Sequence, residues 1–477
     1  MRFVVGAQKQ ISTFISHSAE NNDEAQYYEM LLTNAGFSAF QYSHGLHFGD
    51  RMSVLRDKIQ ECSFFILVVS DYSIKSEWVQ RELGLAVSLQ QRNSGYRPII
   101  IPLYAAGGRS WQREGRPIHF ATRDFDTGKL AEPFSLSDIR GLDKHASPIA
   151  DSDDKLVSLM KPHVLVTRLD FNDVATFDDT GVFDLYEDIF PEIEQDDRDD
   201  IIRWVLRTDL GQKRRFVLSG KTELSYTLDS RYFILCLADR AIGLGFFTYD
   251  HSSKLIYGNY IAVQQCWRSG DIAHAFFDEI MKILEELFPK YQGMVFEVER
   301  FLKAKIEKIV SELEGQKSGS KSLPMQDRDD LNEIRKFLRV AWYYKLDCYC
   351  FFDRAIDEPM VCRSPSLDPS HTRHDWARDE EDYWIMWYQR PGSMLDHSTA
   401  KELWVKAVNS IYLEILAKSL SEGYAENGQE YWNYAAAIVE KTLRQSETKD
   451  IVFKKYLDRK DSPLLRRLTK LKLHLPI

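Results

Sequence analysis

Trp78 and Glu82 stand four residues apart in Trp78-Val79-Gln80-Arg81-Glu82, a spacing that puts both on one face of a helix. An aromatic platform beside a carboxylate is a place where a ligand can be held. Six apolar residues, 64–69, come before them, followed by a polar stretch, 70–76. That order predicts a buried strand, a turn, and a helix beginning near Glu77. Open α/β sheets bind ligands at the C-terminal edge of such strands. Other chemistry-bearing groups are less well placed. His371, His374 and Asp375 cluster in "HTRHDWARDEED", but no partner ligands accompany them, so a solvated loop is expected and no metal site. Cys62, Cys236, Cys266, Cys348, Cys350 and Cys362 show no zinc spacing. Several fall in apolar runs, which predicts buried, reduced thiols.

The elements around the pair predict an open sheet. Residues 13–16 read as a first strand running into His17 and Ser18. Residues 23–34 read as a helix capped by Asn22 or Asp23 and ended by Gly36. A second strand over 37–42, a glycine-punctuated loop over 44–50, and a helix over 52–60 lead to the 64–69 strand. A fourth strand follows at 98–103, and 107–147 reads as long and loop-like. Strands alternating with helices predict a parallel sheet covered on both faces.

The string "FISHS", "HGLHFGDRM" and "VVSDYSIKSEWVQREL" resembles a TIR domain of the NAD-cleaving type, over residues 1–160 at the widest. The resemblance implies a flavodoxin-like fold. It implies Glu82 as the catalytic carboxylate, with Trp78, His17, Ser18 and Phe14 against the nucleotide. NAD would be the substrate, and no cofactor is required. The nicotinamide leaving group is already cationic, so no general acid is needed. An ionised carboxylate would stabilise the positive charge that grows on the ribose. On this reading Glu82 lines an exposed cleft and adds little to stability.

A boundary is expected near 150–162, where 150–154 is polar and acidic; beyond it a strand is expected at 163–169, and strands at 232–237, 241–249 and 254–263 form an antiparallel meander. Ile272, Phe276, Ile280, Ile283, Leu284 and Leu287 make a helical stripe. Residues 294–298, 331–344, 349–352 and 383–388 continue as strand, helix and two strands. This α+β layout with its mixed, mainly antiparallel sheet resembles a GNAT-type acetyltransferase across 163–392, with an insertion at about 300–330. In that family a turn and the following helix N-terminus hold the pyrophosphate of coenzyme A. Arg268 and Ala273 match that turn, but Asp271 replaces its central glycine and repels a pyrophosphate, with Gly270, one residue early, as a partial compensation. The resemblance therefore implies an inherited fold with lost or altered acetyl-CoA binding. For an active acetyltransferase, the resemblance would imply Tyr344 as the general acid.

Residues 393–477 are expected as a helical extension, with Trp404, Tyr412, Tyr424, Tyr431, Trp432 and Tyr434 packing on the second domain. The final "SPLLRRLTKLKLHLPI" is basic and apolar and reads as a docked terminal helix, with binding to a membrane surface or a partner as the alternative. With 477 residues and 44% apolar content, two or three domains with real cores are expected. The net charge of −10 argues against a general nucleic-acid surface. No apolar run approaches membrane-spanning length, and a cytosolic protein is expected. Together these readings imply an NAD-cleaving effector that self-associates through TIR domains and answers to an unknown trigger molecule or protein through its C-terminal part. Two alternatives are a non-catalytic TIR adaptor and an acetyl-CoA-dependent acetyltransferase with a TIR docking module. The residues do not separate hydrolysis of NAD from cyclisation.

Overall fold

The computed structural model describes residues 2–3, 11–42, 48–92, 98–105, 119–136, 142–143, 149–167, 174–190, 198–206, 210–217, 223–238, 240–264, 267, 272–316, 328–364, 381–414, 428–457 and 462–470. Five strands form a parallel sheet in the order Ser38–Gln41, Ser12–Ser16, Phe64–Val69, Ile99–Tyr104, Leu142–Asp143. This is the flavodoxin-like order, with the chain reversing direction between the first and third strands. Phe64–Val69 and Ile99–Tyr104 are buried at every position, as strands covered on both faces must be. Helices Asn22–Asn34 and Ile149–Met160 contribute Ala25, Tyr28, Leu32, Leu156 and Met160 to one apolar layer. Helices Phe48–Glu61 and Glu77–Arg92 contribute Leu55, Ile59, Val79, Leu83 and Ala86 to another.

Several local details differ from expectation. The first helix starts at Asn22, so Asp23 lies inside it, and the cap residue Asn21 makes no side-chain cap bond. Gly36 does follow the helix end, with φ of 94°. The expected turn at 70–76 holds a short helix, Asp71–Lys75, closed by a capping box between Ser70 and Ser73. The 107–147 stretch is not all loop. It carries an antiparallel ribbon, His119–Phe120 with Phe134–Ser135, and supplies Leu142–Asp143 to the parallel sheet.

An eleven-stranded mixed sheet holds most of the remaining described strands. Its centre is the antiparallel meander Leu228–Leu237, Arg240–Asp250, Leu255–Val263. Leu255–Val263 then runs parallel to Gly293–Glu299, paired only from Leu255↔Gly293 to Tyr257↔Val295. Glu381–Gln389 and Tyr349–Asp353 continue the sheet antiparallel. Ile451–Lys454, in a region expected to be helical, adds a strand beside Tyr349–Asp353. Trp404, Tyr412 and Tyr431 are buried beneath the C-terminal helices, as expected. The basic terminal helix Ser462–Lys470 is docked. Leu464 and Leu468 are buried, and Arg467 Nη2 lies 2.7 Å from the Glu314 carboxylate.

The two sheets are not joined by a polar linker. Residues 150–154 lie in the helix Ile149–Met160, and Asp153 is buried. One continuous apolar cluster takes in Ile15, Leu32, Phe64 and Met160 from the parallel sheet's side and Phe233, Trp267 and Phe276 from the mixed sheet's side. The Phe64 and Trp267 rings meet at 6.3 Å, and Ala238 N donates to Leu159 O at 3.1 Å. Arg2–Phe3 joins the mixed sheet beside His163–Thr167. Among the described residues, no helix is long and apolar enough to cross a membrane.

Candidate active site

Glu82 rides on the helix Glu77–Arg92, in a stripe made by Val79, Glu82, Leu83 and Ala86. That i, i+3, i+4, i+7 pattern faces the sheet, so the carboxyl is carried inward with its apolar neighbours. Glu82 is only 6% exposed. The exposed cleft carboxylate expected from the sequence is thus corrected: the helix face that holds Val79 and Leu83 in the core takes Glu82 with it. Ser16, at the end of the first strand, donates its hydroxyl to Glu82 Oε2 at 2.6 Å. Burial pushes the Glu82 carboxyl up to about 7, and the Ser16 bond pulls it back only in part. Desolvation wins because one hydroxyl replaces several lost waters.

Strand alternation explains Ser16. Phe14 and Ser16 point to the same face of the sheet, the one covered by the Glu82 helix. Phe14 itself is 1% exposed and stacks on Phe65 at 5.6 Å, so it is a core residue and does not line the site. This corrects its expected role. Ser16 is the residue the sequence reading passed over. Its signal was a hydroxyl in phase with Phe14 at the end of an otherwise apolar strand.

Residues 13–132 match the TIR domain family. The match takes in both partners of the Ser16–Glu82 bond. No curated protein matched the chain. Among solved structures, the chain is similar to one described as a GNAT-family acetyltransferase from Bacteroides thetaiotaomicron, 14% identical, covering 52% of this chain and 98% of that one, TM-score 0.29. It is also similar to a GNAT-family acetyltransferase from Staphylococcus aureus, 10% identical, covering 47% and 98%, TM-score 0.23. A third is N-acetylglutamate synthase from Neisseria gonorrhoeae, 10% identical, covering 77% and 66%, TM-score 0.21.

In the TIR region, the loops after the first and third strands are tied together at the point where strand order reverses. Ser18 Oγ and Ser70 Oγ both donate to Asn21 Oδ1, at 2.7 and 2.6 Å. Asn21 Nδ2 donates to Glu24 Oε2 at 2.7 Å. Ser18 is therefore spent on loop structure and is buried. His17 is half-buried. Its Nδ1 lies 2.8 Å from Ser18 O, and its Nε2 lies 3.1 Å from Gln41 Oε1 and 3.2 Å from Tyr42 O. Trp78 is half-buried against the apolar layer, with the Arg81 guanidinium 5.7 Å over its ring. Trp78 and Glu82 do share a helix side, but the indole is more open than the carboxyl.

Outside the TIR region, Arg268, Gly270 and Asp271 lie outside the described residues, as do Cys266, His371, His374, Asp375 and Tyr424. Ala273 is in the first turn of the helix Ile272–Leu287 and packs on the shared core. Tyr344 lies under the Lys455 ammonium, 5.6 Å from its ring centroid. Cys62, Cys236, Cys348, Cys350 and Cys362 are buried free thiols. Among the described residues, no group of three or more metal-ligating side chains occurs.

Proposed function

We propose that the TIR region cleaves the bond between nicotinamide and ribose in NAD, with Glu82 as the reacting carboxylate. The observation that carries this reading is the Ser16–Glu82 pair, sited where the parallel sheet reverses order and beside a half-exposed Trp78. As the glycosidic bond breaks, its electron pair goes to the pyridinium nitrogen and nicotinamide leaves neutral. Positive charge then builds on the ribose C1′ and its ring oxygen. Ionised Glu82 stabilises that charge and accepts hydrogen bonds from the ribose hydroxyls. Water attacks C1′ and releases a proton, giving ADP-ribose. Attack by the adenine ring gives a cyclic product instead. Trp78 is the platform for a flat ring, and His17 lines the entrance.

A carboxyl this deeply buried cannot reach the ribose without local opening. The proposal therefore includes a closed resting state, opened by self-association of TIR regions under control of the C-terminal part. By its resemblance to NAD-cleaving TIR proteins, the chain is assigned to bacterial antiviral defence, where NAD loss halts the infected cell.

Purified protein incubated with NAD, at rising concentration and with a crowding agent, tests this beside Glu82→Ala. Nicotinamide release by wild type alone is expected. Release that survives Glu82→Ala would remove Glu82 from the mechanism. No release in any assembled state favours a non-catalytic scaffold. A thermal shift with acetyl-CoA and not NAD would favour the acetyltransferase alternative.

A further inference from the structure

We propose that the ribbon over residues 119–136 is a strap that sets the position of Glu82 by gripping the outer side of its helix, with Arg123 as the positioning residue. The proposal rests on Glu82 being the reacting group. Arg123 N donates to Gln80 O at 3.1 Å, Arg123 Nε to Gln80 Oε1 at 2.8 Å, and Arg123 Nη1 to Gly128 O at 2.8 Å. Gln80 is held from its other end as well, since its Nε2 donates to Ile74 O at 2.7 Å. The helix is thereby stitched both to the strap and to the short helix before it.

One glycine makes the approach possible, and a second fits the strap's own turn. A Cβ on Gly84 would lie 2.2 Å from Arg123 O, so only glycine lets the strap backbone touch the helix there. Glycine is a poor mid-helix residue, and its presence fits a need for contact. A Cβ on Gly128 would lie 2.1 Å from Arg81 Nη2, and Gly128 has φ of +69°. The strap is itself anchored. Phe120 and Phe125 are buried in the apolar layer with Val79, Leu83 and Ala86. Arg56 pairs with Asp126 and lies 5.4 Å over the Phe125 ring.

The geometry gives the grip its meaning. At about 100° per residue, positions 80 and 84 both lie near the side of the helix opposite position 82. The strap presses where Glu82 is not, and the sheet receives Glu82 where Ser16 waits. Rotation or sliding of this turn would carry the carboxyl off the Ser16 hydroxyl.

Arg123→Ala and Gly84→Ala test the strap in opposite ways, one by removing its bonds and the other by forcing its carbonyl outward. Leu130→Ser, at a 70% exposed strap position, is the control. In the full-length protein both variants should move the acidic limb of the kcat profile to higher pH by about one unit, a tenfold loss at fixed low pH, with KM within about twofold. Amide exchange over 77–84 should quicken, while the 64–69 strand stays as protected as in the control. Faster exchange with an unmoved limb, or unchanged exchange, would overturn the proposal. Should the wild type release no nicotinamide, the NAD reading fails by itself. The strap is then judged by exchange and by a carbon-13 titration of the Glu82 carboxyl, which must move in both variants and not in the control.

Discussion

Replacing Glu82 by Gln should stabilise the protein above neutral pH and change little near pH 4.5. Burial raises the carboxyl from 4.5 to about 7 in the folded chain. The folded state therefore binds a proton more tightly than the unfolded state. Between the two values it carries more protons, so stability is full below 4.5 and falls as pH rises toward 7 and beyond. At about 1.4 kcal/mol per unit, the wild type gives up roughly 3 kcal/mol across that window. Gln keeps an acceptor for Ser16 and never ionises, so it avoids the loss. Unfolding entropy of about 2 cal/mol/K per residue, over 477 residues, converts this to about 3 °C in Tm if the chain unfolds as one. The assay is thermal unfolding of both proteins at pH 5, 6, 7 and 8. A Tm difference that opens with pH is expected. A difference independent of pH, or a Gln variant less stable at pH 8, would refute the reasoning. Loss of nicotinamide release in the stabilised variant would complete the case, because destabilising groups persist where function needs them.

Ser16→Ala removes the one hydroxyl bonded to Glu82. A charge-assisted bond of about 1.5–3 kcal/mol corresponds to roughly 1–2 pH units, so the acidic limb of NAD cleavage should move up by that much. Trp267→Ala opens a cavity in the core shared by both sheets and should cost about 3–5 kcal/mol. Hydrogen exchange should then show both sheets losing protection together, and loss confined to the mixed sheet would count against a shared core. Tyr412 donates to the buried carboxyl of Glu297, which also accepts from Tyr257 at 2.7 Å. Tyr412→Phe should lower stability by about 1–3 kcal/mol in denaturant titrations, because the carboxyl keeps its burial and loses a donor. Burial pushes the thiols of Cys348, Cys350 and Cys362 well up, so a thiol reagent at pH 8 should leave them unmodified until the protein is unfolded.

The sheet that holds the candidate site was legible because its signals are local. Continuous apolar runs at 64–69 and 99–104 can only be buried strands, and Gly36 marks a helix end wherever it falls. The pairing of Trp78 with Glu82 followed from spacing alone. The depth of Glu82 was also written in the chain, since Val79, Leu83 and Ala86 surround it in phase. It was hidden by attention to Trp78, whose own phase is the more open one. Phe14 misled for the reverse reason: a ring near the loop looks like a platform until alternation places it under a helix. The ribbon at 119–136 had no readable period, because two-residue strands are too short to show one. Its contact with the helix is set by Gly84, where the sequence shows only an absence of side chain. Residues 150–154 read as polar and acidic, yet they lie inside a helix whose Asp153, Leu156 and Met160 are buried, and the mixed-sheet strand that follows begins only at His163.

The joint core constrains how the proposed site could be controlled. Hinged domains meet across small polar surfaces, but here Phe64 packs on Trp267 inside one apolar cluster. Phe64 begins the strand whose far end leads to Ser70, and Ser70 holds Asn21 beside the loop that follows Ser16. A shift of the mixed sheet would thus displace a wholly buried strand and would not be absorbed by a linker. Opening of Glu82 asks for less. It requires the Trp78–Arg81 pair to move aside while the 2.6 Å bond to Ser16 keeps hold of the carboxyl, a change of a few kcal/mol that contacts between copies can supply. On the proposed function, assembly at the TIR surface is therefore the cheaper route to activity. Amide exchange of 77–84 measured with and without crowding separates the two. Loosening on assembly supports opening by neighbours, whereas an unchanged turn in a turning-over enzyme would require the whole strand to move.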